Sequence, residues 1–180
     1  MPTPQDDGGN QMKRMNGYTV ALTGVLLATA LLLGYVESLV PIPIPMPGIK
    51  LGLPNFLSLI VMKHKGMLKA LAFGVLRVLL SCMLFGNVLS FVYALAGCII
   101  SVVGMWLVGK ISCFSTVGQS IAGGILHNVG QITAATLILG TTGVWWCAPY
   151  LFVCGAIAGF LTGIIAALII ARGKYFFEKY

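Results

Sequence analysis

Charge is scarce in this sequence, and acidic charge scarcer still. Of 180 residues only 8% are charged, and the acids number four: Asp6, Asp7, Glu37 and Glu178. Soluble domains carry roughly a quarter charged residues to keep their surfaces in water, so a water-facing fold is excluded. The only adjacent acids, Asp6 and Asp7, sit in the polar start of the chain. The apolar part therefore has no aspartate-rich motif to hold Mg²⁺ and a diphosphate. P-loop, GxSxG and HExxH patterns are all missing, which removes ATP hydrolysis and the common hydrolase chemistries. Cys82, Cys98, Cys113, Cys147 and Cys154 contain no CxxC pair, and His64 and His127 do not make a metal site by themselves. No catalytic constellation, metal site or cofactor is expected.

What the chain does have is apolar length. Hydrophobic residues make up 58% of it, with a mean hydropathy of +0.98. A bilayer span takes about 20 apolar residues, so six spans with short links nearly exhaust the chain. The expected fold is an all-α integral membrane protein of six transmembrane helices. Residues 1–17 are expected as a disordered cytoplasmic tail, 18–172 as the membrane domain and 173–180 as a second cytoplasmic tail. Apolar runs cover about Tyr18–Val36, Leu53–Met62, Met67–Phe85, Val88–Val108, Gly118–Leu139 and Trp145–Ala171. The second is too short to span unless the loop before it dips into the membrane. That loop holds Pro41, Pro43, Pro45, Pro47 and Pro54 among glycines, which no continuous helix survives. It reads as re-entrant or lid-like, or as a stiff extended connector.

The net charge of +7 would suggest nucleic acid in a soluble chain. Here the cations sit in clusters between apolar runs, where they set topology. With both termini cytoplasmic, only Lys50, in an outer loop, and Arg77, within a span, depart from an all-inside placement of Lys and Arg. Trp145, Trp146 and Tyr150 then form an outer aromatic belt. Small residues four apart mark close helix contacts: Gly155, Gly159 and Gly163 in the last span, and Gly24 with Ala28 and Ala30 with Gly34 in the first. Whether the partner helix belongs to this chain or to another protein is open at this stage.

Polar groups inside the membrane carry the functional signal. An ionisable residue at depth costs about 2.5–3.5 kcal/mol on insertion scales and faces a cavity or a partner. Arg77 lies about ten residues from either end of its span, too deep to snorkel cheaply. It has two candidate partners, Glu37 and an anionic ligand. His127, Asn128 and Gln131, spaced three and four apart, can share one helical face. Glu37, Lys50, Asn55 and Asn87 fall near the outer surface. Together these eight residues suggest a ligand cavity open outward under the proline-rich loop.

The segments ESLVPIPIPMPGIKLGLPN, LRVLLSCMLFGNVLSFVYALAG and HNVGQITAA resemble the bacterial membrane family named Gx transporter, also described as heptaprenyl diphosphate synthase component I. That family in turn resembles the substrate-binding S components of energy-coupling factor (ECF) transporters. The resemblance implies six helices, an outward ligand pocket lidded by the loop after the first helix, and the bacterial cytoplasmic membrane. It also implies docking of the first helix on an ECF transmembrane coupling protein with ATPases, usually through alanines four apart; Gly24, Ala28, Ala30 and Gly34 depart from that pattern. Two functions follow as expectations. One is a transporter or S-component-like subunit that captures a small molecule from outside. The other is a non-catalytic membrane subunit of a quinone, isoprenoid or flavin-linked redox complex. A third, prenyl-diphosphate chemistry with Arg77 and Lys50 on the diphosphate, lacks the metal-binding acids.

Overall fold

The computed structural model describes residues 17–39 and 49–177. The expected tails, up to residue 16 and from residue 178, and the proline-rich stretch 40–48 proposed as a lid lie outside the described residues. Helices α1 (Gly17–Leu39), α2 (Asn55–Lys65), α3 (Met67–Phe85), α4 (Val88–Gly109), α5 (Thr116–Leu139) and α6 (Ala148–Phe177) follow in order. A short 3₁₀ turn, Thr142–Cys147, precedes α6. Among the described residues there is no strand.

Among the described residues, five helical stretches are long and apolar enough to cross a membrane: Val20–Leu39, Met67–Phe85, Val88–Gly109, Thr116–Leu139 and Thr142–Gly173. The expected sixth span is α2, whose eleven residues reach only about 16 Å at 1.5 Å each, half a hydrocarbon core. As expected from the sequence, it is too short to span by itself, and it is apolar because it is wrapped by protein. Phe56, Leu57, Leu59, Ile60 and Met62 are buried against α3, α4, α5 and α6. At its other termini the sequence reading also needs small adjustments. Gly17 belongs to α1, and α6 continues past Arg172 to Phe177.

Local chemistry explains the breaks. Gly66 sits between α2 and α3 at φ +87°, a region that L side chains rarely adopt, and its amide closes α2 on the Met62 carbonyl. The chain thus turns a tight corner between two helices. Asn87 ends the α3–α4 link by accepting the Ser90 amide at 2.8 Å, and Ser115 caps α5 through the Gly118 amide at 3.2 Å, each satisfying an orphan first-turn donor.

The bundle centres on α5, which packs along α4 on one side and α6 on the other. Gly155, Gly159 and Gly163 are the reason α6 comes so close. A Cβ on Gly159 would lie 2.6 Å from the Ser120 carbonyl oxygen, and one on Gly163 would lie 3.0 Å from the Val117 Cα. The small-residue face of the last span is therefore taken up within the chain. The first span divides its small residues: Ala30 and Gly34 are buried, while Gly24 and Ala28 are exposed. The helix leans chiefly on α3.

Polarity is inverted relative to a soluble protein. Leu32, Leu68, Leu84, Val88, Leu137, Trp146 and Val153 are exposed, whereas Glu37, Asn55, Arg77, Gln119, His127, Asn128 and Gln131 are buried. An apolar perimeter around polar interior groups is what a lipid solvent selects. The chain is a multi-pass helical membrane protein.

Candidate functional site

At one end of the bundle, the C-terminal ends of α1 and α3 meet the N-terminal ends of α2 and α4. Between them lies a cavity lined by Glu37, Lys50, Gly52, Arg77, Ser81, Ser90, His127 and neighbouring apolar groups. Its volume is about 30 Å³, enough for about two waters. The extended segment Ile49–Pro54, which leads into α2, forms one wall.

Glu37 holds that wall. Buried in the last turns of α1, its carboxylate accepts the Gly52 amide at 2.5 Å and the Leu53 amide at 3.4 Å. Gln131 on α5 holds it from the other side, its Oε1 accepting the Lys50 amide at 3.0 Å. That bond fixes the amide's orientation, so Gln131 Nε2 donates to His127 Nε2 across 2.7 Å. The imidazole consequently carries its proton on Nδ1, which lies beside Gly97 without a hydrogen-bond partner. Gly52 has φ +83°, and a Cβ there would fall 2.7 Å from His127 Cδ2. Glycine is what lets the segment pass this close to α5.

Arg77 anchors the start of α2. Its Nη2 donates to Asn55 Oδ1 at 3.0 Å; Asn55 Nδ2 donates to Ser101 Oγ at 3.3 Å, and Ser101 Oγ to the Gly123 carbonyl at 2.8 Å. One polar chain thus ties α3, α2, α4 and α5 together in the interior. The Cys98 thiol also lies against the guanidinium, but Nε has no hydrogen-bond partner while the side chain lines the cavity. A buried donor left in this state points to a ligand or water. Glu37 attracts Arg77 electrostatically, but the hydrogen bonds of the two go elsewhere and no ion pair joins them. Lys50 lies half-buried with Nζ 5.2 Å from the Phe85 ring centroid. Burial pushes its pKa below the ordinary 10.5, Glu37 opposes that shift, and Arg77 adds to it.

Of the eight residues expected around a cavity, Glu37, Lys50, Arg77 and His127 line it. Asn55 and Gln131 stand behind them, holding Arg77 and His127 by hydrogen bonds. Two lie elsewhere. Asn128 donates to the Leu151 carbonyl at 2.6 Å and joins α5 to α6, because successive helical residues diverge by about 100° and His127 has taken the inward face. Asn87 is exposed and caps α4. Sequence reasoning missed Gly52, Ser81 and Ser90. A glycine just before a proline-started helix was the available signal for the first; isolated serines in apolar helices gave none.

No curated protein and no solved structure matches this chain significantly. The sequence profile of the family described as heptaprenyl diphosphate synthase component I matches residues 26–169. That stretch runs from α1 to the end of the apolar part of α6 and includes every cavity residue named above, so the chain belongs to the heptaprenyl diphosphate synthase component I family.

Proposed function

We propose that this protein captures a small anionic molecule from the outer side of the membrane, as a transporter or as a substrate-binding subunit resembling an ECF S component. The observation that carries the reading is the meeting of Lys50 and Arg77 with one acid, Glu37, at a single interior cavity. Two cations against one carboxylate leave net positive charge facing the space, and the carboxylate is already hydrogen-bonded to backbone amides. Lys63, Lys65, Lys69, Lys110 and Arg172 lie at the opposite ends of their helices, which the positive-inside rule assigns to the cytoplasm. The cavity then belongs to the outer half.

A volume of about 30 Å³ holds about two waters, so entry of anything larger requires movement. The Ile49–Pro54 segment is the one non-helical wall named here, fastened by side chains of Glu37 and Gln131 and by the turn bond from the Asn55 amide to the Gly52 carbonyl. Its release opens the pocket outward. No reaction is assigned to the chain; among the described residues Glu37 is the only acid to hold Mg²⁺ near the two cations.

The test is native mass spectrometry of the purified full-length protein. An anionic small molecule should copurify and be lost in Arg77→Gln, with Arg77→Lys retaining part of the occupancy. Equal occupancy in the wild type, Arg77→Gln and His127→Ala would end the proposal.

A second reading rests on the family's description as a component I, which implies a partner subunit. In it the chain is a non-catalytic membrane subunit of an isoprenoid, quinone or flavin-linked redox assembly. The exposed Gly24 and Ala28 support a helix partner on α1 in either case, an ECF coupling protein with ATPases in the first or a redox membrane complex in the second. Crosslinking from Ala28→Cys identifies which class docks.

A further inference from the structure

The opposite end of the bundle holds a second, larger cavity. It opens between the C-terminal ends of α2 and α4 and the first turns of α5, with a volume of about 220 Å³, roughly seven times that of the Arg77 cavity. Met62, Met105 and Trp106 supply an apolar wall, Lys63 and Lys110 the charge, and Gly109 and Gln119 the remainder. No acidic residue lines it.

Gln119 is the informative member. It is 2% exposed, and its Nε2 donates to the Phe114 carbonyl at 3.4 Å, which orients the amide and leaves Oε1 without a hydrogen-bond partner. A buried acceptor in that state points to a donor from a ligand or water. Gly109 packs beside it, since a Cβ there would lie 3.3 Å from Gln119 Oε1. Lys110 is held over the Trp106 ring, Nζ 3.7 Å from its centroid, so the cation stays at the mouth and does not disperse into solvent.

The site therefore asks for a ligand with an anionic group for two ammonium groups, a hydroxyl or similar donor for Gln119 and apolar parts for the two methionines. It stands at the ends of apolar spans beside a tryptophan, the depth of lipid headgroups. We propose that this cleft binds the headgroup of an anionic, hydroxyl-bearing phospholipid of the phosphatidylglycerol type. Lys63 and Lys110 take the phosphodiester, Gln119 Oε1 accepts from a headgroup hydroxyl, and the glycerol backbone lies on Met62, Met105 and Trp106. The inference is independent of the Arg77 cavity and survives or fails without it.

Native mass spectrometry of the full-length protein, titrated with defined lipids, tests it. Phosphatidylglycerol should bind at least tenfold more tightly than phosphatidylcholine, and the double substitution Lys63→Gln with Lys110→Gln should erase the difference. Lys69→Gln, at the same end but outside the cleft, should preserve it. Gln119→Leu should retain the preference for anionic lipid while losing discrimination between phosphatidylglycerol and phosphatidylmethanol, which has no headgroup hydroxyl. Gly109→Leu, a change at an exposed position, should block the cleft if Gln119→Leu does not fold. Equal binding of phosphatidylglycerol and phosphatidylcholine, or a preference unchanged in the double variant, overturns the proposal. Displacement of phosphatidylglycerol by millimolar inorganic phosphate also overturns it, because the ligand would then be free phosphate.

Discussion

Removing the Glu37 carboxylate should free the segment that walls the Arg77 cavity. Glu37 is 3% exposed and accepts the Gly52 amide at 2.5 Å and the Leu53 amide at 3.4 Å. The second contact is long, so the first carries nearly all the stabilisation. Hydrogen bonds to charged groups contribute about 1.5–3 kcal/mol against about 0.5–1.5 for neutral pairs, and an orphaned buried donor costs about 1–3 kcal/mol. Glu37→Ala should therefore ease opening of the segment by about 2 kcal/mol, which accelerates amide exchange there about thirtyfold where reclosing outpaces exchange. Glu37→Gln retains an oxygen acceptor but loses the charge, about 1 kcal/mol, for an acceleration of about fivefold. Hydrogen exchange read by mass spectrometry in nanodiscs, on a peptide covering 49–54, measures both. Peptides from α4 and α5 provide the reference. Native exchange rates in both variants would refute the latch, and so would equal acceleration throughout α2, α4 and α5, which signals general loosening.

Three further outcomes follow from the same geometry. Gly124→Ala sets a Cβ against the Gly155 carbonyl, whereas nothing lies within 4 Å of a Cβ on Gly24; thermal unfolding in detergent should show a loss of about 1–3 kcal/mol for the first and no change for Gly24→Ala. Gly52→Ala combines φ +83° with a contact 2.7 Å from His127 Cδ2, and should cost about 2–4 kcal/mol by the same measurement. Lys50, whose pKa burial lowers from 10.5, holds fewer protons in the folded than in the unfolded protein between its lowered value and 10.5, so stability rises with pH across that window. Unfolding curves from neutral to alkaline pH should show this rise in the wild type and a flatter profile in Lys50→Met.

The sequence was most informative where a signal is local. Hydropathy located α3, α4 and α5 to within two residues at either end, because a lipid-facing helix must be apolar over its whole length. α2 was less legible: burial in protein and burial in lipid demand similar residues, and its eleven residues are too short to span unless the segment before them enters the membrane. For the site, Arg77 and His127 stood out because a charge or imidazole in an apolar run is costly and so has a purpose. Their common cavity was an expectation from depth alone.

Composition and order by themselves determined that this chain lives in a bilayer, that its helices break at Gly66 and around Gly86 and Asn87, and that a few polar groups enter the interior. Which of those groups meet was decided only by tertiary structure. His127 and Asn128 are neighbours in sequence, yet one closes a cavity with Gln131 and the other fastens α6, since helix rotation depends on packing. Glu37 and Arg77 are opposite charges that sequence suggested as a pair, yet backbone amides and Asn55 claim their hydrogen bonds. Those partners come from the Gly52–Asn55 corner, whose position depends on every helix around it.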